Sequence, residues 1–107
     1  MAIFRIGRYS VRPEGVDSVH QVIHRTVDLV KEHEPDTLLY LALQDKDDPN
    51  TFVHISAYSD EAAMERHVQG EVMLADFRDH LFPFVAVPAT FTHYTLVDGK
   101  FLEAPLG

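Results

Sequence analysis

Apolar and polar residues alternate along the first half of the chain in a way that predicts strand, helix, strand and strand. Residues 2–11 have the two-residue period of a strand, whereas Val16 to Val30 shows apolar residues every three or four positions, which indicates an amphipathic helix of about five turns. Two apolar segments, Thr37–Gln44 and Thr51–Tyr58, flank a turn rich in Asp, Pro and Asn. They predict a β-hairpin at the centre of the fold.

The second half of the chain predicts two helical stretches and a last strand. Asp60 is a natural N-cap for a short helix that ends near Gly70, and a further helical stretch runs from Met73 to Pro83. Ala89 to Val97 is again rich in strand-forming residues. The resulting order, β-α-β-β-α-β, is that of the ferredoxin-like α+β fold, and we expect residues 1–107 to form a single domain.

The central strands are apolar on both faces, although the helices of such a fold cover only one. One face is aliphatic and comprises Leu39, Leu41, Leu43, Val53, Ile55 and Ala57. We expect this face to pack on a second copy of the chain, giving a homodimer. The other face mixes polar, aromatic and apolar residues, namely Leu38, Tyr40, Ala42, Phe52, His54, Ser56 and Tyr58. Such a mixture between a sheet and its helices predicts a ligand pocket.

The composition excludes several classes of protein. The 107 residues include 9 Lys and Arg against 17 Asp and Glu, a net charge of −8, which argues against a nucleic-acid partner. There is no Cys, so disulfides and thiolate chemistry are excluded. The N-terminus lacks the apolar core of a signal peptide, and no segment is apolar enough to span a membrane. We therefore expect a cytoplasmic protein.

Three segments resemble motifs of the antibiotic biosynthesis monooxygenase family, in the order and spacing of that family. They are Glu34–Tyr40, Asp47–Val53 and Asp60–His67. The resemblance implies a dimeric α+β barrel in which two sheets pack face to face, with a pocket between sheet and helices in each subunit. It also implies an enzyme that oxidises a quinol or another electron-rich aromatic with molecular oxygen and without a cofactor. The protein would deprotonate the phenol and stabilise charge on the oxygen adduct.

Some residues typical of branches of this family are absent. Strand one contains no Asn, and Ser56 and Tyr58 stand where the commonest pattern has Glu and Trp. Residues 70–77 contain no His that would correspond to a haem ligand, so haem degradation is not expected. These differences leave two alternatives to the monooxygenase: a non-catalytic dimer that binds a small hydrophobic molecule, and an isomerase or decarboxylase on the same scaffold.

His67 is the candidate acid–base residue. It belongs to the third motif and follows Ala63 by one helical turn, so we expect it to point toward the sheet. Imidazole titrates near neutrality, which suits proton removal from a phenol. The candidate substrate-binding residues are His54, Tyr58, Tyr40, Ser56, Phe52 and Phe77.

Two other pairs of residues are weaker candidates for a functional role. His20 and His24 are spaced for metal binding, but no third ligand is indicated, so we predict a solvated helix face and no metal site. Arg5 and Arg8 interrupt the apolar first strand. We consider two interpretations. Either one of these arginines binds an anionic substrate, or their charges protect an edge strand from aggregation.

Overall fold

The predicted alternation of strands and helices is present in the computed structural model, which describes residues 2–100. The elements are β1 (Ile3–Val11), α1 (Val16–His33), β2 (Thr37–Gln44), β3 (Thr51–Tyr58), α2 (Glu61–Val68), α3 (Glu71–His80) and β4 (Val85–Thr95). Single 3₁₀ turns precede α1 at Pro13–Gly15 and β4 at Phe82–Phe84. The prediction of a ferredoxin-like α+β fold is therefore confirmed.

The four strands form one antiparallel sheet in the order β2-β3-β1-β4. Since β1 lies between β3 and β4, it is an interior strand, and the edge-strand interpretation of Arg5 and Arg8 is wrong. The two residues point to opposite faces because side chains alternate along a strand. Arg8 is exposed, whereas Arg5 lies beside Ser56 on the face covered by the helices.

Helix α1 covers part of this face with a stripe that differs slightly from the predicted one. Its buried residues are Val19, Val22, Thr26 and Val30. Thr26 is polar and was not predicted to be buried, but its hydroxyl donates to the carbonyl of Val22 at 2.9 Å. This hydrogen bond satisfies the hydroxyl inside the helix and allows a β-branched residue to pack like valine.

Strand β4 begins four residues before the predicted start at Ala89. Pro88 lies directly before that predicted start, and a proline cannot donate a ladder hydrogen bond. In the structure the pairing of β1 with β4 shifts between Arg8 and Ser10, which pair with Thr90 and Val87 respectively. Pro88 lies within this irregularity, where no donor is needed, and the strand continues on both sides of it.

The two faces of the sheet have the predicted characters. The mixed face lies under the helices. Next to the cavity described below, residues of this face and of the helices pack into a hydrophobic core of Tyr9, Val11, Val19, Val22, Phe52 and Leu81. We call the other side the open face; its apolar residues are Phe4, Ile6, Leu39, Leu41, Leu43, Val53, Ile55 and Ala57. Leu38, predicted to lie beside Tyr40, instead lies at a register break and is 59% exposed.

Within residues 2–100, none of the helices combines the length and apolar character that crossing a membrane requires.

Candidate active site

A cavity of about 490 Å³ lies between the sheet and the helices. Its floor is formed by strand residues, namely Arg5, Gly7, Tyr9, Tyr40, His54, Ser56, Val85, Pro88, Ala89 and Phe91. Its roof comes from α2, α3 and the turn that follows, and comprises His67, Val68, Met73, Leu74, Phe77, Leu81 and Phe82. The roof is apolar except for His67, so the polar groups of the site converge from the floor and from that single helical residue.

The register of the sheet explains why residues distant in sequence meet on the floor. Ser56 of β3 pairs with Arg5 of β1 on one side and with Tyr40 of β2 on the other. Two residues along, His54 pairs with Gly7. Directly paired residues point to the same face of a sheet, so the two rows place a cation, a hydroxyl, a phenol and an imidazole side by side.

His67 forms a hydrogen-bonded pair with Glu34. The side chain of Asp60 accepts the backbone N–H of Ala63 at 2.8 Å, which caps α2 and sets the helix that carries His67 over the sheet. The Nδ1 atom of His67 is 2.7 Å from Oε1 of Glu34, the residue that follows α1. The same oxygen accepts the hydroxyl of Thr37 at 2.8 Å. With its proton on Nδ1, His67 keeps Nε2 available as a base.

His54 lies between two phenols. Its Nε2 is 2.9 Å from the hydroxyl of Tyr9, and its Nδ1 is 3.0 Å from the hydroxyl of Tyr40. Burial, and after it the nearby charges of Arg5 and His67, lowers the pKa of His54 to about 4. Burial also raises the pKa of both phenols, so all three groups are neutral at pH 7.

A neutral imidazole has one donor and one acceptor nitrogen. His54 therefore donates to one tyrosine and accepts from the other. The tyrosine that accepts keeps its own O–H free to donate into the cavity, whereas the other keeps an oxygen lone pair. A change of tautomer at His54 exchanges the two roles, so the floor can present a donor at either end of this hydrogen-bonded triad.

Arg5 brings a positive charge to the floor. Its guanidinium lies over the ring of Phe91, with Cζ 3.6 Å from the ring centroid. Burial lowers the pKa of Arg5, while Tyr58 and Tyr40 raise it, and a guanidinium stays charged at any ordinary pH.

The comparisons with known proteins agree with this fold and cavity. The model of the antibiotic biosynthesis monooxygenase family matches residues 2–79, which is more than half of the chain. The chain belongs to the antibiotic biosynthesis monooxygenase family. Membership confirms the resemblance inferred from the three motifs and supports a monooxygenase-like function. No curated protein matches the sequence.

Solved structures show how widely the fold of this family is shared. A proposed antibiotic biosynthesis monooxygenase from Caulobacter crescentus CB15 is 18% identical, with 91% of each chain covered and a TM-score of 0.83. A proposed monooxygenase of the same kind from Nitrosomonas europaea is 22% identical, with 90% of each chain covered and a TM-score of 0.82. Rv0793 from Mycobacterium tuberculosis is 16% identical over 94% of this chain and 100% of its own, with a TM-score of 0.81. At such low identity these similarities establish the fold alone.

Five of the seven candidate site residues line the cavity of this family member: His67, His54, Tyr40, Ser56 and Phe77. Phe52 and Tyr58 do not. Phe52 is 1% exposed and stacks on Tyr9 with a centroid separation of 5.7 Å, and Tyr58 is fully buried and donates its hydroxyl to Ser56 at 3.0 Å. Alternation along β3 correctly placed both residues on the helix side of the sheet. It could not show that α1 and α2 cover the two ends of the strand.

Two residues of the site were missed in the sequence. Tyr9 shares its face of β1 with Arg5, so the pairing of β1 with β3 would have placed it near His54. Glu34 is the first residue of the first family motif, but nothing in the sequence indicated that its partner lies 33 residues later in the chain. Only the tertiary fold, which sets α2 beside β2 and the turn that precedes it, brings this carboxylate to His67.

The described residues of this family member offer no evident metal site. Within residues 2–100, no three His, Asp or Glu side chains approach one another as metal ligands would. His20 and His24 are exposed on α1, and His20 is 3.2 Å from the side-chain oxygen of Gln44.

Proposed function

We propose that this protein is a cofactor-independent monooxygenase that oxidises a quinol or another electron-rich phenol with molecular oxygen. The observation that carries the proposal is the His67–Glu34 pair, which brings a base oriented by a carboxylate to a largely apolar cavity. The apolar walls suit the ring of an aromatic substrate. The hydroxyl of that substrate needs a polar partner, and the cavity has only a few polar groups that can serve as one.

The reaction begins with proton transfer from the phenol to Nε2 of His67. Glu34 stabilises the resulting imidazolium through the hydrogen bond to Nδ1. The phenolate is much more easily oxidised than the phenol, so the substrate itself reduces oxygen. For a simple hydroquinone the balance is hydroquinone plus O₂ giving a hydroxyquinone plus water. One oxygen atom enters the ring at a carbon that loses its hydrogen, and the other leaves as water.

The triad of Tyr9, His54 and Tyr40 serves the oxygen atoms that change charge during this reaction. It offers one free O–H and one free lone pair on the floor of the cavity. A donor fixed in this way stabilises the developing negative charge on a peroxide or on the second quinol oxygen. Because the tautomer of His54 decides which phenol donates, the triad can serve either end of the substrate.

Oxygen consumption by the purified, chelator-treated protein tests the proposal. Hydroquinones, naphthols and anthrone-like compounds would be compared with the wild-type chain and His67→Gln. Glutamine retains an N–H that can reach Glu34 but cannot act as a base near neutrality. We expect uptake above the spontaneous rate that falls at least tenfold in the variant, which is about 1.4 kcal/mol of transition-state stabilisation.

His24→Gln is the matched control, because His24 is exposed on α1 and does not line the cavity. It should retain the wild-type rate. Equal rates in wild type and His67→Gln would exclude His67 as the base but retain the oxygenase. Absence of uptake with every compound, together with saturable binding, would favour the non-catalytic binding protein. Turnover without oxygen would favour the isomerase or decarboxylase.

We also propose that the chain forms one domain and works as a homodimer through the open face. The supporting observation is that this face is apolar across β2, β3 and β1 apart from Arg8, yet no helix among residues 2–100 covers it. Leu43 on this face is 47% exposed in the single chain. A second copy would remove this apolar surface from water, which is the main driving force for association.

A further inference from the structure

We propose that the cavity selects an aromatic substrate that carries a carboxylate, and that the guanidinium of Arg5 binds this group. The inference rests on the proposed function for the reaction that follows, since it names the class of phenol to be oxidised. The binding step does not require turnover, so it can be tested separately.

Among residues 2–100, Arg5 is a cation without an anionic partner. Within residues 2–100 its guanidinium takes part in no ion pair and no side-chain hydrogen bond, and it lies against the face of Phe91. A guanidinium has five N–H donors in a planar fork that matches the two oxygens of a carboxylate. Stacking on an aromatic ring uses the face of the fork and leaves its edge donors unoccupied.

The surroundings of Arg5 make an anion the expected occupant. Among the lining residues that the structure describes, Arg5 is the only one of the Asp, Glu, Lys and Arg types. The nearby carboxylate of Glu34 is already bonded to His67 and Thr37. An unpaired charge beside apolar walls is costly, and a bound carboxylate would offset that cost through charge-assisted hydrogen bonds.

The net charge of −8 for the whole chain does not attract anions from a distance. The positive potential is local to the floor of the cavity. Arg5 therefore discriminates among molecules that have already entered the cavity. Its charge should change the affinity for the ligand and leave the association rate unchanged.

Gly7 and Phe91 hold the guanidinium in place. A Cβ atom at residue 7 would be 2.5 Å from Cε1 of Phe91, so only glycine at this position lets the ring lie across β1. The ring then supports the guanidinium of Arg5, two residues earlier on the same face of the strand. This support restricts a long side chain before the ligand arrives, which lowers the entropy cost of binding.

The position of Arg5 also limits where the phenolic hydroxyl of the substrate can lie. Arg5 and Tyr40 occupy opposite sides of Ser56, two strand spacings or about 10 Å apart. The ring of His67 is 5.4 Å from that of Tyr40. A substrate that spans this row would place its carboxylate on Arg5 and its hydroxyl near His67. Two fused aromatic rings with the groups at opposite ends have a suitable length.

Calorimetric titration with two naphthols tests the inference. The probes are 6-hydroxy-2-naphthoic acid and its methyl ester, which differ in charge but share the aromatic body and the phenol. At pH 7 we expect the wild-type chain to bind the acid at least tenfold more tightly than the ester. Arg5→Gln should weaken binding of the acid tenfold or more and change binding of the ester less than twofold, so the ester reports that the cavity is intact.

Arg8→Gln is the matched control because Arg8 lies on the same strand but on the opposite face. It should bind the acid as the wild-type chain does. Equal affinities of the wild-type chain for acid and ester would overturn the inference, and so would an equal loss of both in Arg5→Gln. Arg5-dependent selection of the acid without oxygen uptake by any phenol would retain the inference and reject the proposed oxygenase.

Discussion

At the scale of single residues, His54 is the group whose protonation state most directly determines the site. It needs one protonated and one unprotonated nitrogen to bridge Tyr9 and Tyr40. A proton added to it would leave both nitrogens as donors and would add a positive charge near Arg5. The floor of the cavity is thus organised around an imidazole that stays neutral.

The lowered pKa of His54 predicts a loss of stability in acid. In the unfolded chain its imidazole titrates near 6.5, whereas in the native state it titrates at about 4. Between these values the unfolded state binds more protons, so the free energy of unfolding decreases as the pH falls. Over the whole window His54 contributes about 3 kcal/mol of this decrease.

Urea denaturation at several pH values between 7 and 4 checks this expectation. The wild-type chain should lose stability more steeply than His54→Gln, in which no group titrates at this position. His20→Gln is the control, because His20 is exposed, and it should follow the wild-type slope. Parallel curves for wild type and His54→Gln would show that His54 is protonated as easily in the folded state as in the unfolded chain.

At the scale of secondary-structure elements, the N-cap of α2 links local sequence to the site. Asp60 accepts the N–H of Ala63 at 2.8 Å, and α2 is the helix that carries His67. Asp60→Ala removes this acceptor and should lower the free energy of unfolding by about 1 kcal/mol. Denaturant titration at pH 7 measures the change.

Glu65→Ala is the matched control for Asp60→Ala. Glu65 is exposed on the same helix, and within residues 2–100 its side chain makes no ion pair. It should change stability by less than 0.5 kcal/mol, as roughly expected for surface substitutions. If the two variants were equally stable, the hydrogen bond from Ala63 would contribute nothing measurable to the fold.

Local patterns predicted the elements better than they predicted the contacts between them. Alternation and helical spacing gave β1 to β3 and α1 because each of these elements has one face against apolar neighbours. They missed the first four residues of β4 and the burial of Thr26, because the irregular pairing beside Pro88 and an intrahelical hydrogen bond at Thr26 both depend on the folded structure.

The same distinction applies to the candidate site. Alternation along one strand identified the face that carries His54 and Ser56, and helical spacing gave the direction of His67. The partner of His67 could not be predicted, since Glu34 lies in the turn between α1 and β2 and reaches His67 only through the tertiary fold. The exclusion of Phe52 and Tyr58 from the cavity depends on tertiary packing in the same way.

At the scale of the whole molecule, the open face predicts self-association. Leu43→Asp would place a charge on this face, whereas Val72→Asp would place one at the start of α3, where Val72 is 68% exposed. We expect sedimentation velocity to give a dimer for the wild-type chain and for Val72→Asp, and a monomer for Leu43→Asp. Burying an unpaired carboxylate in an apolar interface is the reason for the difference.

Two outcomes would contradict this expectation. A wild-type monomer at every concentration would remove the homodimer from the proposed function. A Leu43→Asp dimer as stable as the wild type would move the interface to another surface.

Most polar groups of the cavity lie on its floor of strands, whereas the roof of helices is apolar except for His67 on α2. The floor holds Arg5, His54 and Tyr40 in register through the hydrogen bonds of the sheet. Much of the roof comes from α3, which is joined to α1 by an exposed ion pair between Arg25 and Asp76. Substitutions in α3 and at Phe82 can therefore reshape the space above the ring without moving the reactive groups. A cavity built in this way can accept ligands of a different shape while its polar groups stay in place.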